Sequence, residues 1–193
     1  MKLNVGCGMR PLRGFLNIDG TIAEGVDMVI DLNREECLSS FQSGSVTQIV
    51  ANSVLEHLPN WENLFVELSR VAAQGCILSV QVPHAWDYRP YHVRAFNRHS
   101  FDMFCSNVRV WDDGMRRVRT SDYPVADVYF TLQELGFYWF KRDVYRLHRL
   151  PFAYHTRKYL GDRVQRFLFR HVGKPGDLYF TLVRNQIPYR RGG

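Results

Sequence analysis

The sequence has few of the patterns that mark secreted, zinc-binding or membrane-spanning chains. Its cysteines show no CxxC pair, so neither a disulfide framework nor a zinc site is indicated. No apolar run approaches the roughly 20 residues that a membrane helix needs, and the amino terminus lacks a signal-peptide pattern. We therefore expect free thiols, no resident metal, no transmembrane segment and a cytoplasmic location. The cysteines are Cys7, Cys37, Cys76 and Cys105.

The composition is that of an ordinary globular protein. With 193 residues, 46% hydrophobic and 23% charged, the chain is long enough for one substantial core and short for two. No internal repeat or low-complexity linker divides it. We expect a single domain over residues 1–193.

Positive charge is concentrated in one late segment. The net charge is +6, and residues 141–170 alone contain nine lysines and arginines against two aspartates. This basic segment has three interpretations. It is a solvated face, a surface for an anionic acceptor or membrane leaflet, or an RNA-binding surface. No nucleic-acid motif is visible, so RNA is the least favoured of the three.

Strand and helix patterns alternate over the first half of the chain, which predicts one doubly wound, Rossmann-like α/β sheet. The sheet is expected to be mostly parallel, with an antiparallel carboxy-terminal strand. The predicted strands are 3–7, 14–19, 27–32, 47–54, 76–83, 137–145 and 177–185. The predicted helices are 59–75, which Gly75 would end, 125–136, which Gly136 would end, and one near 157–170.

The link between the first two predicted strands is too short for an ordinary crossover helix. Six residues separate Gly8 from Phe15. They rise about 9 Å as a helix and reach roughly 20 Å when extended, whereas a strand is about 17–20 Å long. The link must therefore be mostly extended, and the first crossover helix is expected to be shortened or absent.

This short link weighs against a dinucleotide site. A dinucleotide fingerprint needs a third glycine and a helix that receives the pyrophosphate, with an acid about 20 residues further on. Here Pro11 occupies the place of the third glycine. Adenosylmethionine carries no phosphate, and its needs are met differently. Gly6 and Gly8 permit close backbone approach, and Asp19 supplies two oxygens for ribose hydroxyls.

Four segments resemble class I S-adenosylmethionine-dependent methyltransferases in their order along the chain. They are most similar to small predicted methyltransferases associated with surface-glycan biosynthesis, which have a similarly short first link. The resemblance covers about residues 2–84. The segments are LNVGCGMRPLRGFLNIDG (3–20), DMVIDLN (27–33), ANSVLEHLPN (51–60) and GCILSVQVPH (75–84).

The resemblance implies a cofactor-binding half at 1–84 and an acceptor-side half at 85–193. It places the methionine end of the cofactor against the two glycines and the ribose on the carboxylate described above. Asp31 and Leu32 would lie near the adenine. Asn52 would line the methionine side. Glu56 and His57 would lie at the mouth of the site.

Three histidines are candidates for a general base if the acceptor is a hydroxyl, because histidine has a pKa near neutrality. They are His92, His84 and His57. The first two are favoured because their loop is rich in Trp, Tyr and Arg. The expected activity is O-methylation of a small or glycan-type acceptor. The alternatives are an RNA methyltransferase and a non-catalytic binding protein of the same fold.

Overall fold

The computed structural model describes most of the first 105 residues and the strands that follow. The described residues are 1–85, 89–97, 99–105, 109–111, 117–119, 130–138, 155–156 and 177–185. The basic segment 141–170 lies outside them apart from a two-residue strand, so its three interpretations stay as predictions. The predicted helix near 157–170 also lies outside.

Ten strands are described. They are β1 Lys2–Val5, β2 Leu16–Asp19, β3 Met28–Val29, β4 Val46–Asn52, β5 Ala72–Pro83, β6 Arg109–Trp111, β7 Arg117–Arg119, β8 Phe130–Tyr138, β9 His155–Thr156 and β10 Asp177–Arg184. Eight of them form one sheet in the order β3-β2-β1-β4-β5-β10-β8-β9, and β6 pairs with β7 separately. Strands β1 to β5 are mutually parallel, and β10 runs antiparallel between β5 and β8. The predicted fold class is confirmed.

The link between β1 and β2 contains no helix, as predicted. It is held by the buried side chain of Asn17 on β2, whose Oδ1 accepts hydrogen bonds from Asn4 Nδ2 at 2.9 Å and from Leu12 N at 2.7 Å. Its Nδ2 donates to Phe15 O at 3.1 Å and to Asp27 Oδ2 at 3.0 Å. The Asn17 side chain thus satisfies backbone N–H and C=O groups of the link that a helix would otherwise pair with each other.

One α-helix, α1 at Trp61–Val71, connects β4 to β5 and buries one face against the sheet. It ends four residues earlier than predicted, because Ala72 adopts extended backbone angles and pairs with Val46 at the start of β5. Gly75 therefore lies in a strand, at φ +75°, and is not a helix stop. None of the helices in the described ranges has the length and apolarity needed to cross a bilayer.

Seven buried aromatic side chains form one packed cluster between α1 and the sheet. Phe65 contacts Phe104, and Phe101 contacts Phe180, each with ring centroids 4.6 Å apart. Burying such a ring contributes about 2–3 kcal/mol, so the cluster fastens the segment around residues 96–105 onto the sheet. The cluster residues are Trp61, Phe65, Phe96, Phe101, Phe104, Phe130 and Phe180.

The prediction of a helix at 125–136 is wrong for residues 130–136, the part of this range that the structure describes. Residues 130–136 belong to strand β8, which pairs with β10 from Phe130 opposite Arg184 to Tyr138 opposite Asp177. Leu, Gln and Glu favour a helix locally, but β10 leaves an unpaired edge that this segment covers, and sheet context overrides propensity. The predicted strand at 137–145 contributes its first two residues to β8, and its remainder lies outside the described residues.

Candidate functional site

The candidate residues gather where the parallel strands end. The carboxyl ends of β1, β2, β4 and β5 meet at one edge of the sheet, and ligands of open α/β sheets bind beyond this edge. Two groups of polar side chains lie there. The first surrounds the glycine turn after β1, and the second surrounds the 3₁₀ turn at Leu55–His57 after β4.

The two glycines of the turn have different surroundings. Both adopt positive φ, +65° at Gly6 and +50° at Gly8. A Cβ on Gly6 would lie 2.3 Å from Cγ2 of the buried Val54, so packing alone requires glycine there. A Cβ on Gly8 would meet no described protein atom within 4 Å. The space beside Gly8 is therefore open, whereas the space beside Gly6 is filled by Val54.

Asp19 ends β2 beside this open space. Its Oδ2 accepts a hydrogen bond from Gly8 N at 2.8 Å, and its Oδ1 accepts from Thr21 N at 3.1 Å and Thr21 Oγ1 at 3.0 Å. The carboxylate is half-buried and fixed on both sides. Because an ionised carboxylate offers about four lone-pair positions, it retains capacity for further donors.

The Cys7 thiol between the two glycines is a poor nucleophile. Burial, and after it the neighbouring Asp19 carboxylate, raises the pKa of Cys7 above its ordinary value. A thiol that stays protonated is unreactive.

A cavity of about 410 Å³ lies beyond the end of β3. Asp31 is exposed in its wall, and its Oδ1 accepts a hydrogen bond from Asn33 N at 3.0 Å. Leu32 beside it is buried in the core. The cavity is lined by Val29, Ile30, Asp31, Arg34, Glu35, Glu36, Cys37 and Ser39.

Asn52 is the last residue of β4 and is exposed at the same edge. The chain turns immediately after it, with Ser53 at φ +52° and Ser53 N donating to Gln81 O at 2.8 Å. This turn sends Val54 back over Gly6, which joins the end of β4 to the glycine turn.

Glu56, His57 and His92 form a second group, which we call the Glu–His cluster. One ligand-type atom from each residue lies within 4.8 Å of the others. The cluster forms because the peptide oxygen of Glu56 accepts hydrogen bonds from Val93 N at 2.9 Å and Arg94 N at 3.2 Å. These bonds fasten the loop at 89–97 against the 3₁₀ turn.

Glu56 is the most buried member of the cluster, with 1% of its surface exposed. Burial raises the pKa of Glu56 to about 7, and the nearby Asp177 carboxylate adds to that effect. Among the described residues, no hydrogen-bond partner reaches its Oε2.

His57 is held in one orientation. Its Nδ1 lies 3.2 Å from the Tyr91 carbonyl oxygen, and its Nε2 lies 3.9 Å from Glu56 Oε1. A carbonyl only accepts hydrogen bonds, so Nδ1 carries the proton and a neutral ring has its lone pair on Nε2. The ring stacks on Tyr91 with centroids 5.7 Å apart and meets His92 edge-on at 5.2 Å.

His84 is placed differently. It is 8% exposed and forms a β-bridge with Phe96. Burial lowers the pKa of His84 to about 4, so its ring is neutral and weakly basic near pH 7. The structure therefore brings His57 and His92 together and leaves His84 in the core.

Comparison with known proteins finds similar solved structures at low sequence identity. An S-adenosylmethionine-dependent methyltransferase from Archaeoglobus fulgidus matches with a TM-score of 0.56 and 15% identity, over 95% of this chain and 85% of that one. The chain has a methyltransferase fold. No family model and no curated protein matches the sequence.

Two further structures show the range of the likeness. Phosphoethanolamine N-methyltransferase 1 from Haemonchus contortus matches with a TM-score of 0.50 and 9% identity. That match covers 100% of this chain and 40% of the other, so the chain spans less than half of that enzyme. A methyltransferase from Mesorhizobium loti has a TM-score of 0.46 at 10% identity, over 95% and 90% of the two chains. At such identities the likeness establishes the fold alone.

Sequence reasoning missed Asp177 and Gln81. Gln81 Nε2 donates to Asp177 Oδ2 at 2.8 Å, and Asp177 acts electrostatically on Glu56. Asp177 is the first residue of β10. Because β10 is antiparallel, its beginning lies at the edge where the parallel strands end. An aspartate opening the predicted antiparallel strand was the available signal.

Proposed function

We propose that the protein is an S-adenosylmethionine-dependent methyltransferase. The observation that carries the proposal is the open backbone face of Gly8 beside the fixed carboxylate of Asp19. A sulfonium nucleoside needs a backbone surface without side chains and a hydrogen-bond acceptor for its ribose hydroxyls. Gly8 offers the surface and Asp19 the acceptor, and a hydrogen bond from Gly8 N to Asp19 Oδ2 joins the two residues. The fold supports the proposal, because this edge is where ligands bind in open α/β sheets.

The remaining cofactor contacts follow from this placement. The methionine part would lie along the open backbone of Gly8 and near Asn52. Gly6, whose Cβ side is filled by Val54, would contact it only through its peptide group. The adenine would occupy the cavity beyond β3, beside Asp31 and near the backbone of Leu32. No phosphate-binding helix is needed, which agrees with the helix-free link between β1 and β2.

We further propose that the acceptor is a hydroxyl of a small or glycan-type molecule that lies against the Glu–His cluster. An oxygen lone pair attacks the methyl carbon, the C–S bond breaks, and its electron pair stays on sulfur. The hydroxyl proton passes to the cluster, where His57 and His92 are the candidate bases. His84 fits this role poorly because of its low pKa.

Two measurements test the function in order. Calorimetry with adenosylhomocysteine should show binding at one site, and an unmeasurable affinity would overturn the cofactor assignment. Transfer of labelled methyl from adenosylmethionine should then be followed across a panel of sugars, phenols and amines. Cofactor binding with no transfer to any of them would favour the non-catalytic alternative, and transfer to amines alone would overturn O-methylation.

A further inference from the structure

The Glu–His cluster contains the donor set of a transition-metal site. Two imidazoles and one carboxylate are a common three-ligand set for divalent ions such as Zn²⁺, with a further position left to water or substrate. Ligand atoms about 2.1 Å from such an ion are roughly 3.4 Å apart in tetrahedral geometry. In the cluster, Glu56 Oε1 and His57 Nε2 are 3.9 Å apart, and the three ligand atoms lie within 4.8 Å. Binding of an ion would require the side chains to rotate so that these atoms move closer together.

The surroundings of His57 orient it as a ligand. Metal-binding histidines usually donate their second ring N–H to a carbonyl or carboxylate, which fixes the tautomer and aims the lone pair at the ion. The contact between His57 Nδ1 and the Tyr91 carbonyl has this arrangement. It leaves the Nε2 lone pair facing the Glu56 carboxylate at 3.9 Å, which is too long for a hydrogen bond.

The buried carboxyl of Glu56 gives a second, independent reason to place a cation in the cluster. Its side chain is almost completely buried, and its Oε2 has no hydrogen-bond partner in the described part of the chain. A second carboxylate, Asp177, is close enough to act on it. Buried carboxylates are normally hydrogen-bonded, paired with a cation or bound to a metal, so this pocket attracts positive charge.

We propose that Glu56, His57 and His92 together bind one divalent transition-metal ion of the zinc class. The ligands are not recognisable in the sequence, because His92 lies far along the chain from the other two and the spacing matches no metal motif. The site goes beyond the proposed methyl transfer and needs neither cofactor nor acceptor to be tested. With an ion bound, His57 and His92 would serve as ligands instead of bases. The ion would lower the pKa of a coordinated acceptor hydroxyl, and the proton of that hydroxyl would pass to water.

Calorimetric titration of chelator-treated full-length protein with ZnCl₂ alone tests the site. We expect one ion per chain with submicromolar affinity, and much weaker binding of Mg²⁺, which prefers oxygen ligands. His57→Ala should weaken Zn²⁺ binding by about 100-fold, since it removes one of three ligands. His57 is exposed, so its removal leaves the core intact. The matched control is His99→Ala, an exposed histidine that pairs with Asp102.

Two results would overturn the proposal. One is the absence of Zn²⁺ binding to the parent protein. The other is equal loss, or no loss, of Zn²⁺ affinity in His57→Ala and His99→Ala. Co²⁺ provides a second readout, because the expected nitrogen and oxygen ligands give a visible spectrum without the sulfur charge-transfer band of a cysteine site. Glu56→Gln should remove that spectrum, with Glu62→Gln on α1 as its control. Adenosylhomocysteine binding is measured separately, so failure of the metal site leaves the proposed function standing.

Discussion

The two polar groups at the edge of the sheet differ in how many of their carboxyl oxygens have hydrogen-bond partners. At the end of β2, both oxygens of Asp19 accept hydrogen bonds from Gly8 or Thr21. At the end of β4, Glu56 is far more buried, and its Oε2 has no partner within the described residues. The Asp19 carboxylate is already fixed by hydrogen bonds, and a neutral polyol can donate further hydrogen bonds to it. The buried Glu56 carboxyl needs a proton or a cation to offset the cost of its burial.

The difference also reflects how each group is assembled. Gly8, Asp19 and Thr21 are close in sequence and are brought together by one pair of adjacent parallel strands. The Glu–His cluster needs a loop from after β5 to fold back onto the turn after β4. Its geometry therefore depends on the aromatic cluster that fastens this loop to the sheet.

Alanine at each of the two glycines should separate packing from ligand binding. Gly6→Ala should lower the free energy of unfolding by about 3 kcal/mol, through left-handed strain and overlap with Val54. Gly8→Ala meets no such overlap and should cost about 1 kcal/mol, while abolishing adenosylhomocysteine binding. Urea unfolding and calorimetry measure the two effects. Equal losses of stability would show that the open face of Gly8 is misplaced.

Asp19→Ala should weaken adenosylhomocysteine binding by about 100-fold, because two charge-assisted hydrogen bonds to ribose are lost. Calorimetry on the folded variant measures the change. Asp102→Asn is the control, because Asp102 pairs with His99 away from the glycine turn. If the Asp19→Ala protein binds adenosylhomocysteine as tightly as the parent, the ribose does not contact this carboxylate.

Acid should destabilise the protein through His84. Its pKa is lowered to about 4 in the folded state, so protons bind preferentially to the unfolded chain, where the pKa is near 6.5. Stability from this group is present above pH 6.5 and is lost as the pH falls towards 4. Between pH 8 and pH 5 the loss should be about 2 kcal/mol, and His84→Gln should remove it. Unfolding of both proteins at the two pH values gives the difference, and identical losses would contradict the assignment.

Asp31→Asn should have the smallest effect, a weakening of adenosylhomocysteine binding of about threefold. Asp31 is exposed, and its Oδ1 already accepts from Asn33 N. Comparison with adenosine and with homocysteine alone would show whether the loss belongs to the adenine. A loss as large as that of Asp19→Ala would mean that the ribose lies nearer to β3.

The fold of the first half was predictable because its signals are local. Glycines after a short apolar run, and a link too short for a helix, determine β1, β2 and the turn between them. The identity of β8 was not predictable in this way, because residues 130–136 favour a helix until β10 offers them a strand edge. The Glu–His cluster was predictable only in part. Each of its members was singled out, yet their association depends on hydrogen bonds from Val93 and Arg94 to one peptide oxygen.

The side-chain amide of Asn17 fixes the conformation of the β1–β2 link through the link's backbone, so this conformation does not depend on the link's own side chains. Positions 9–13 are exposed, and the conformation is imposed from the neighbouring strand. These positions should therefore accept varied side chains while the course of the chain from β1 to β2 stays the same.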